Sequence, residues 1–410
     1  MKKPSQKPFY KWTILILGCL TNALVVAVQG MGVSVLLPEI TNDLNLSLVQ
    51  AGLIWGMASL PSILSFIIAG SIIDKWGPKR VLIIACLLVG LIGASRGLAV
   101  NFSTLLIMVF LFGFFSPFIP LSNIKNVGLW FEDETFGTAN GILSLGMALG
   151  FFVGSMVSAS FISPWLGGWR YTLIFYGLIG LLFAIPWLFT QSNYDPSIQE
   201  DSEKQTIWGG MKHIFSVRNI WLLGFALLGY NGAVQGFLGY VPLFLRNIGW
   251  QDVRADSLAA SFHLASLFFT IPLAFLSDKI ASRKRLVIAA ASLTALGIGL
   301  FFVLEGNLLW GAVIAAGLGR DGIMAILFTM VLETRGIGKL YSGIATGFVM
   351  IFGSIGALLA PPAGNTLASV SPQTPFLFWA GLCVLGVVSI ILIAESGMLR
   401  KAQPVNSGQS

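Results

Sequence analysis

The sequence is poor in charged residues. Asp, Glu, Lys and Arg make up only 10% of the 410 residues, against roughly 25% in an ordinary soluble domain. Apolar residues make up 56%, and the mean hydropathy is +0.85. A soluble protein of this composition would have too little polar surface, and the apolar content excludes a disordered or fibrous chain. The composition therefore predicts an integral membrane protein.

Cysteine and histidine are also scarce, with 3 and 2 residues. Cys19, Cys86 and Cys383 lie in apolar runs without metal-site spacing, so we interpret them as packing residues. A nucleotide loop, an HExxH motif and a Ser/His/Asp arrangement at a common depth are missing. The net charge of +7 comes from short clusters rather than one basic face. We expect no enzymatic activity, no cofactor, no metal and no nucleic-acid partner.

Long apolar runs dominate the chain. A bilayer core of about 30 Å requires about 20 apolar residues in a helix. One polar connection, 191–218, is long, and it separates a six-helix bundle at 1–190 from a second at 219–410 that ends in a short tail. The sequence thus predicts an all-α membrane protein of twelve transmembrane helices in two six-helix bundles, at 12–38, 48–73, 80–100, 103–128, 137–163, 170–190, 219–245, 254–277, 286–304, 308–332, 341–367 and 374–396.

The basic residues predict the orientation of these helices. Of the 24 Lys and Arg residues, 19 fall on the side of the termini and 4 on the other side, while Arg320 lies inside a run. Lys and Arg concentrate in cytoplasmic loops. We expect a multi-pass protein of the cell (inner) membrane, monomeric in the lipid bilayer, with both termini and the 191–218 linker in the cytoplasm.

The two halves repeat each other. The string AVQG at 27–30 returns at 233–236, and the Asp-Lys pair at 74–75 returns at 278–279. The glycine spacing of the fifth run returns in the eleventh. Three echoes at nearly one offset indicate a duplicated six-helix unit, and parallel repeats of this kind enclose a central cavity.

Two motifs resemble those of the major facilitator superfamily. GSIIDKWGPKR, at Gly70–Arg80, is similar to its motif between the second and third helices. WFEDETFGTANGI, at 130–142, resembles a pattern of its anion and monocarboxylate porters, although Glu132 replaces the usual Pro and Phe136 the usual Arg. The resemblance implies the major facilitator fold and alternating access, with a cavity lined by the first, fourth, seventh and tenth helices.

Polar residues on those four helices are the candidate substrate contacts. Gln29 and Gln235 occupy equivalent positions of the repeat, and hydrogen bonding between helices is the alternative for both. The predicted contacts, besides the arginine discussed next, are Asn22, Gln29, Ser116, Asn123, Tyr230, Asn231 and Gln235.

Arg320 lies near the middle of the tenth run, next to Asp321. An arginine at mid-bilayer costs at least about 2.5–3.5 kcal/mol on insertion scales, so it should face water or a partner. A guanidinium suits a carboxylate or similar oxyanion; a structural pair with Asp321 and a gating role are the alternatives. Asp321 and His263 are the candidates for proton coupling.

The repeated Asp-Lys pairs predict a cytoplasmic gate. Asp74, with Lys75 and Arg80, would bind the start of the eleventh helix near Tyr341 in the outward-facing state. Asp278 and Lys279 would do the same at the fifth helix near Gly137. A solvated charge cluster that only sets topology is the alternative.

These features favour proton-coupled transport of a small organic anion, such as a monocarboxylate. Efflux of drugs or other hydrophobic compounds is the second hypothesis; Arg320, and Ser155 in place of the Pro of the superfamily's antiporter motif, count against it. A non-transporting receptor is a third, disfavoured by the short linker and tail.

Overall fold

The computed structural model describes residues 9–131, 133–194, 207–279 and 283–394. Ten helices within them are long and apolar enough to cross a membrane. Two further helices, Asp252–Lys279 and Arg283–Leu300, are 28 and 18 residues long, so the described residues contain twelve long helices at the predicted positions. They are α1 Tyr10–Asp43, α2 Leu48–Met57 with Ser59–Trp76, α3 Pro78–Leu98, α4 Phe102–Gly128, α5 Thr135–Leu166, α6 Trp169–Phe189, α7 Arg218–Asn247, α8 Asp252–Lys279, α9 Arg283–Leu300, α10 Leu308–Leu332, α11 Gly338–Thr366 and α12 Thr374–Ile391.

Local sequence signals explain several helix ends. Ser47 and Asn101 begin α2 and α4 with reciprocal capping boxes, which satisfy backbone N–H groups that a helix start leaves unpaired. Gly77 has a φ of 82° and Pro78 opens α3. Glycine tolerates this left-handed conformation and proline suits a first helical position, so the pair gives a tight α2–α3 turn.

Three helices are irregular at positions that matter below. α1 and α5 contain π-helical turns at Asn22–Ala27 and Ser158–Ile162. α10 is broken between Leu308–Gly317 and Arg320–Leu332. Such turns and broken helices are frequent at functional sites of membrane proteins.

The helices pack mainly within each half of the chain. α3 packs on α6 in the first half, and α7 packs on α11 and α12 in the second. Between the halves, α1 meets α7, α2 meets α11, and α5 meets α8. We call the face where α1 begins and α6 ends the linker face, and the face where α1 ends and α2 begins the far face.

The predicted connection at 191–218 is only partly within the described residues. It contains a short helix, Ile207–Phe215, that was not predicted, because nine residues are too few for the apolar-run criterion. His213 of this linker helix stacks on Tyr341 at 4.4 Å between ring centroids, and its Nε2 lies 2.7 Å from Gly336 O. The linker helix is thus attached to the second half.

Candidate substrate site

Arg320 stands at the first position of the second segment of α10. Gly319 precedes it, and the backbone N–H of Ile323 donates to Gly319 O at 2.7 Å, which closes the first turn. Asp321 lies in the same turn, where a carboxylate is favoured by the helix dipole. The break therefore presents a cation and an anion side by side, in the middle of the membrane-spanning segment.

The Arg320 side chain reaches the other half of the protein. Its guanidinium carbon lies 4.8 Å from the centroid of the Phe151 ring on α5. Its Nη1 lies 3.2 Å from Asp321 Oδ1, and 20% of the side chain remains exposed. The predicted pair with Asp321 is therefore present, yet the guanidinium is not walled off by its neighbours.

Asp321 is held by α8 as well as by Arg320. Ser266 donates to Asp321 Oδ2 at 2.8 Å and accepts from the Asp321 backbone N–H at 3.2 Å. The Asp321 side chain is 35% exposed. Tyr230 of α7 is buried next to Thr294, within electrostatic reach of Arg320 and Asp321. Helices α7, α8 and α10 thus meet at this pair.

His263 lies beneath the same aromatic ring. It is buried on α8, with its ring 5.7 Å from that of Phe151. Neither ring nitrogen has a hydrogen-bond partner within the described part of the chain. A buried imidazole without partners is costly. Phe151 of the first half, which the sequence did not single out, therefore lies close to both His263 and Arg320 of the second half.

The predicted contacts of the first half form two separate clusters. Asn123 donates to Asn22 Oδ1 at 2.7 Å and to Gly18 O at 3.2 Å, so these buried amides tie α4 to α1. Gln29 is fully buried elsewhere: its Nε2 donates to Tyr176 O at 3.0 Å. In this conformation Gln29 bonds between helices, as in the alternative considered for it, and does not line an opening.

A buried arginine explains the position of Gln29. Arg96 lies inside the predicted run 80–100 but was counted with the charges of the side opposite the termini; it is fully buried, and its Nη2 donates to Gln29 Oε1 at 3.2 Å. Its guanidinium carbon lies 3.9 Å from the Phe112 ring centroid. Arg96 begins the final turn of α3, Arg96–Leu98, which packs against α6.

The remaining predicted contacts are half-buried and less tightly held. Asn231 donates to Gly353 O on α11 at 3.0 Å. Gln235 contributes its backbone carbonyl, which accepts from Trp55 Nε1 of the first half at 2.7 Å. Ser116 lies where α4 bends before Pro117. Only Gln235 among the three is thus tied to a helix of the other half by a described hydrogen bond.

At the linker face, the Asp74 carboxylate pairs with Lys125 of α4. Lys75 and Arg80 are exposed beside it. Asp278 and Lys279 fall at the end of α8, but their side chains lie outside the described residues. The predicted contact between Asp74 and the start of α11 belongs to another state of the protein and stays a prediction.

The two halves touch closely near the far face. Ser34 donates to Leu238 O at 2.9 Å, Asn365 to Leu48 O at 2.7 Å, and Ser160 to Asp256 Oδ2 at 2.6 Å. α2 and α11 also meet backbone to backbone: a Cβ added at Gly52 would lie 2.7 Å from Pro362 N, and one at Gly56 2.7 Å from Leu358 O.

The same helices are less crowded toward the linker face. A Cβ added at Gly137 or Gly141 of α5 would meet nothing within 4 Å, and the same holds at Gly343 and Gly347 of α11. The far ends of the halves are therefore joined, while open space lies beside α5 and α11 at their linker ends.

A family model described as Major Facilitator Superfamily matches residues 19–339 and 260–408. The chain belongs to the Major Facilitator Superfamily. It is a multi-pass membrane transporter and not an enzyme, and the predicted family is confirmed. The more specific similarity to anion and monocarboxylate porters remains a prediction.

Curated relatives of this transporter have different named substrates. The hexuronate transporter of Bacillus subtilis is 26% identical over 52% of this chain and 51% of its own, so the match spans about half of either protein. The probable sulfoacetate transporter SauU of Cupriavidus necator is 24% identical over 92% and 93%. The multi-drug resistance efflux pump PmrA of Streptococcus pneumoniae is 24% identical over 82% and 83%.

Solved structures share the fold of this transporter. A bacterial homologue of the human lysosomal transporter Spinster, in an inward-facing and unoccupied conformation, aligns with a TM-score of 0.73 at 16% identity over 95% of both chains. A D-xylose–proton symporter aligns with a TM-score of 0.73 at 16% identity over 95% of this chain and 98% of its own. The predicted major facilitator fold is confirmed.

Proposed function

We propose that this transporter carries small organic anions across the inner membrane by proton-coupled alternating access, and that Arg320 binds the anion. The position of Arg320 carries the proposal. Arg320 stands at a helix break, its side chain is 20% exposed, and its guanidinium faces Phe151 of the other half. A cation at the junction of two moving bundles contacts a substrate that both bundles must enclose.

The geometry leaves Arg320 able to bind a second anion. A guanidinium has five N–H donors, and Asp321 at 3.2 Å engages Nη1 alone at this distance. A substrate carboxylate can therefore bind in addition to Asp321, or displace it. Asn231, Gln235 and Tyr230 on α7, with Ser116, Asn22 and Asn123 of the first half, are the proposed polar contacts that would orient the remainder of the substrate.

Proton coupling is assigned to Asp321 and His263. Arg320 neutralises Asp321 while the site is empty, and a substrate carboxylate competes for the same guanidinium. Competition for this guanidinium is the proposed link between anion binding and proton uptake at Asp321. His263, buried against Phe151, would sense the same charge.

The distribution of basic residues makes the linker face cytoplasmic. On that assignment the joined far face is extracellular, and the conformation is inward-facing. The Asp74 and Asp278 gate would form in the opposite state, when the linker ends of the halves approach. Asp74 would then exchange Lys125 for the start of α11.

The relatives support organic anions as the class of substrate, but they do not favour one particular compound. Hexuronate and sulfoacetate are organic anions at neutral pH, and both names belong to relatives of this chain. Efflux of hydrophobic compounds is the second candidate, because the efflux pump PmrA matches at comparable identity over most of the chain. Arg320 separates the two, since a hydrophobic or cationic drug gains nothing from a guanidinium.

The melting temperature of the detergent-solubilised protein tests the proposal. D-glucuronate and sulfoacetate should raise it, because a ligand that binds only the folded state stabilises that state, whereas neutral D-glucose should not. Arg320→Ala should weaken anion binding roughly ten- to a hundredfold, the range for loss of charge-assisted hydrogen bonds. Proteoliposomes should take up the stabilising anion faster under an inwardly directed proton gradient.

Arg254→Ala is the matched control. Arg254 also lies over an aromatic ring, Trp250, at 3.9 Å, but it bonds Asn307 away from the junction. This variant should bind anions as the wild type does. Wild-type affinity in Arg320→Ala would contradict the proposal. Stabilisation by the cationic dye ethidium, with no effect of either anion, would favour efflux.

A further inference from the structure

A buried carboxylate joins the two halves at the far face, outside the site described above. Asp256 of α8 is 0% exposed. Its Oδ2 accepts from Ser160 of α5 at 2.6 Å, and its Oδ1 accepts from Arg246 Nη2 at 2.8 Å. The π-helical turn Ser158–Ile162 carries Ser160. One side chain thus depends on a partner in each half of the transporter.

Carboxylates outnumber cations around Asp256. Arg246 is shared, because its Nε also bonds the exposed Asp252 at 2.6 Å. Glu39 of α1 lies within electrostatic reach of Arg246 and Asp252 and accepts from Ser163 at 2.6 Å. Two carboxylates therefore bond one guanidinium, and a third lies nearby.

Further charges lie at the described far face. Asp43 of α1 and Arg170 of α6 pair with each other at 2.8 Å. Arg254 of α8 bonds the neutral Asn307 and lies over Trp250, so it adds a positive charge nearby but no ion pair to Asp256. The described end of α5, at 158–166, contributes no charged side chain. The fully buried Asp256 therefore has the shared Arg246 as its one described ion-pair partner.

Separation of the halves would change the surroundings of Asp256. The carboxylate would lose Ser160 and meet water, which solvates its charged form. Closure buries it again beside a guanidinium that Asp252 already shares, and burial favours the neutral acid. The Ser160 contact suits both forms, since a serine hydroxyl donates to a carboxylate and accepts from a carboxylic acid.

We propose that Asp256 binds one proton as the far face closes and releases it as the far face opens. Asp256 is then a proton-binding residue of the transport cycle that responds to conformation, in addition to Asp321, which responds to the substrate. The proposal rests on the proposed proton-coupled function. It requires the closed far face to become more populated as pH falls, because the state that binds the proton is favoured by protons.

The test measures the far-face opening without substrate. Spin labels at Val100→Cys and Val370→Cys, exposed positions beyond α3 and α11, report the distance between the halves in lipid nanodiscs. Cys19, Cys86 and Cys383 are first replaced by Ala. Between about pH 8 and pH 5, the closed-to-open ratio should rise by at most about tenfold per pH unit, the limit for a single proton.

Two variants separate Asp256 from its neighbour on the same arginine. Asp256→Asn, a neutral side chain of the same shape, should favour the closed far face with less than about a twofold change over that pH range. Asp252→Asn leaves Arg246 to Asp256 alone, so it should keep a pH response but shift that response to lower pH. A wild-type response in Asp256→Asn, or a wild-type ratio independent of pH, would overturn the proposal.

A second readout covers an Asp256→Asn protein that does not fold. Infrared difference spectra of the wild type should show a protonated-carboxyl band that grows as pH falls and shifts in Ser160→Ala. A band that does not change in Ser160→Ala would contradict the assignment. Both measurements omit substrate, so failure of anion uptake with an intact pH response would count against the proposed function alone.

Discussion

Two arginines, one in each half, show how similar side chains acquire different roles. Arg96 and Arg320 each place a guanidinium near a phenylalanine ring, at 3.9 Å from Phe112 and 4.8 Å from Phe151 respectively. Arg96 is 1% exposed and Arg320 20% exposed. The ring beside Arg96 belongs to its own half, whereas the ring beside Arg320 belongs to the opposite half.

The hydrogen-bond and ion-pair partners of the two arginines also differ in burial. Arg96 is bonded by the side chain and backbone carbonyl of Gln29, and glycines bring the helices together around it: a Cβ added at Gly93 would lie 2.3 Å from Gln29 Oε1. Arg320 has the partly exposed Asp321 as its partner. A buried charge inside one bundle therefore serves packing, and a charge at the junction between bundles is available to a ligand.

The largest expected difference between the two arginines is the loss of folding stability when each is replaced by alanine. Arg96→Ala removes a fully packed side chain and leaves Gln29 Oε1 buried without its donor, which costs about 2–5 kcal/mol for loss of a large core side chain. Arg320→Ala should lower the melting temperature less, because its site is already partly open. Thermal unfolding in detergent measures both, and anion affinity of the folded Arg96→Ala protein should stay within about threefold of wild type. A larger loss of stability in Arg320→Ala would reverse the comparison.

The duplicated glutamines should give a smaller but similarly unequal effect. Gln29→Leu leaves the buried Arg96 without a side-chain acceptor and should destabilise by about 1–3 kcal/mol. The equivalent Gln235→Leu should cost less than about 1 kcal/mol, since its backbone carbonyl, which Trp55 uses, is retained. Denaturation midpoints of the two variants, measured side by side, test this asymmetry. Equal losses would mean that the repeat preserves the same role in both halves.

The smallest effect is expected at an exposed cation. Lys125 pairs with Asp74 at the linker face, where the two side chains are 43% and 47% exposed. Exposed ion pairs contribute about 0–1 kcal/mol, so Lys125→Ala should barely change thermal stability. If Asp74 also serves the proposed gate, the variant should change the transport rate more than the melting temperature. Unchanged uptake would indicate that the pair only sets topology.

Composition and the internal repeat were sufficient to predict the twelve helices and the family. The length of each apolar run and the spacing of its glycines can be read from one segment at a time. The Arg320–Asp321 pair was also foreseeable from adjacency. The burial of Arg96 was not foreseeable, since an arginine near the end of the run 80–100 was counted with the charges outside the membrane, and its contact with Gln29 has no signal in the sequence. The contact between Asp256 and Ser160 was not predicted for a related reason. It forms because α5 packs on α8, and the sequence of one helix does not show which other helix it packs against.

The contact of α2 with α11 has a practical consequence. At Gly52 and Gly56 the two backbones touch, with Pro362 and Leu358 directly opposite. Because no side chain separates the two backbones, the contact of α2 with α11 depends on the absence of a single methyl group at each glycine. A bulky residue at Gly56 would keep α2 and α11 apart, and it offers a way to capture the form with an open far face for structure determination.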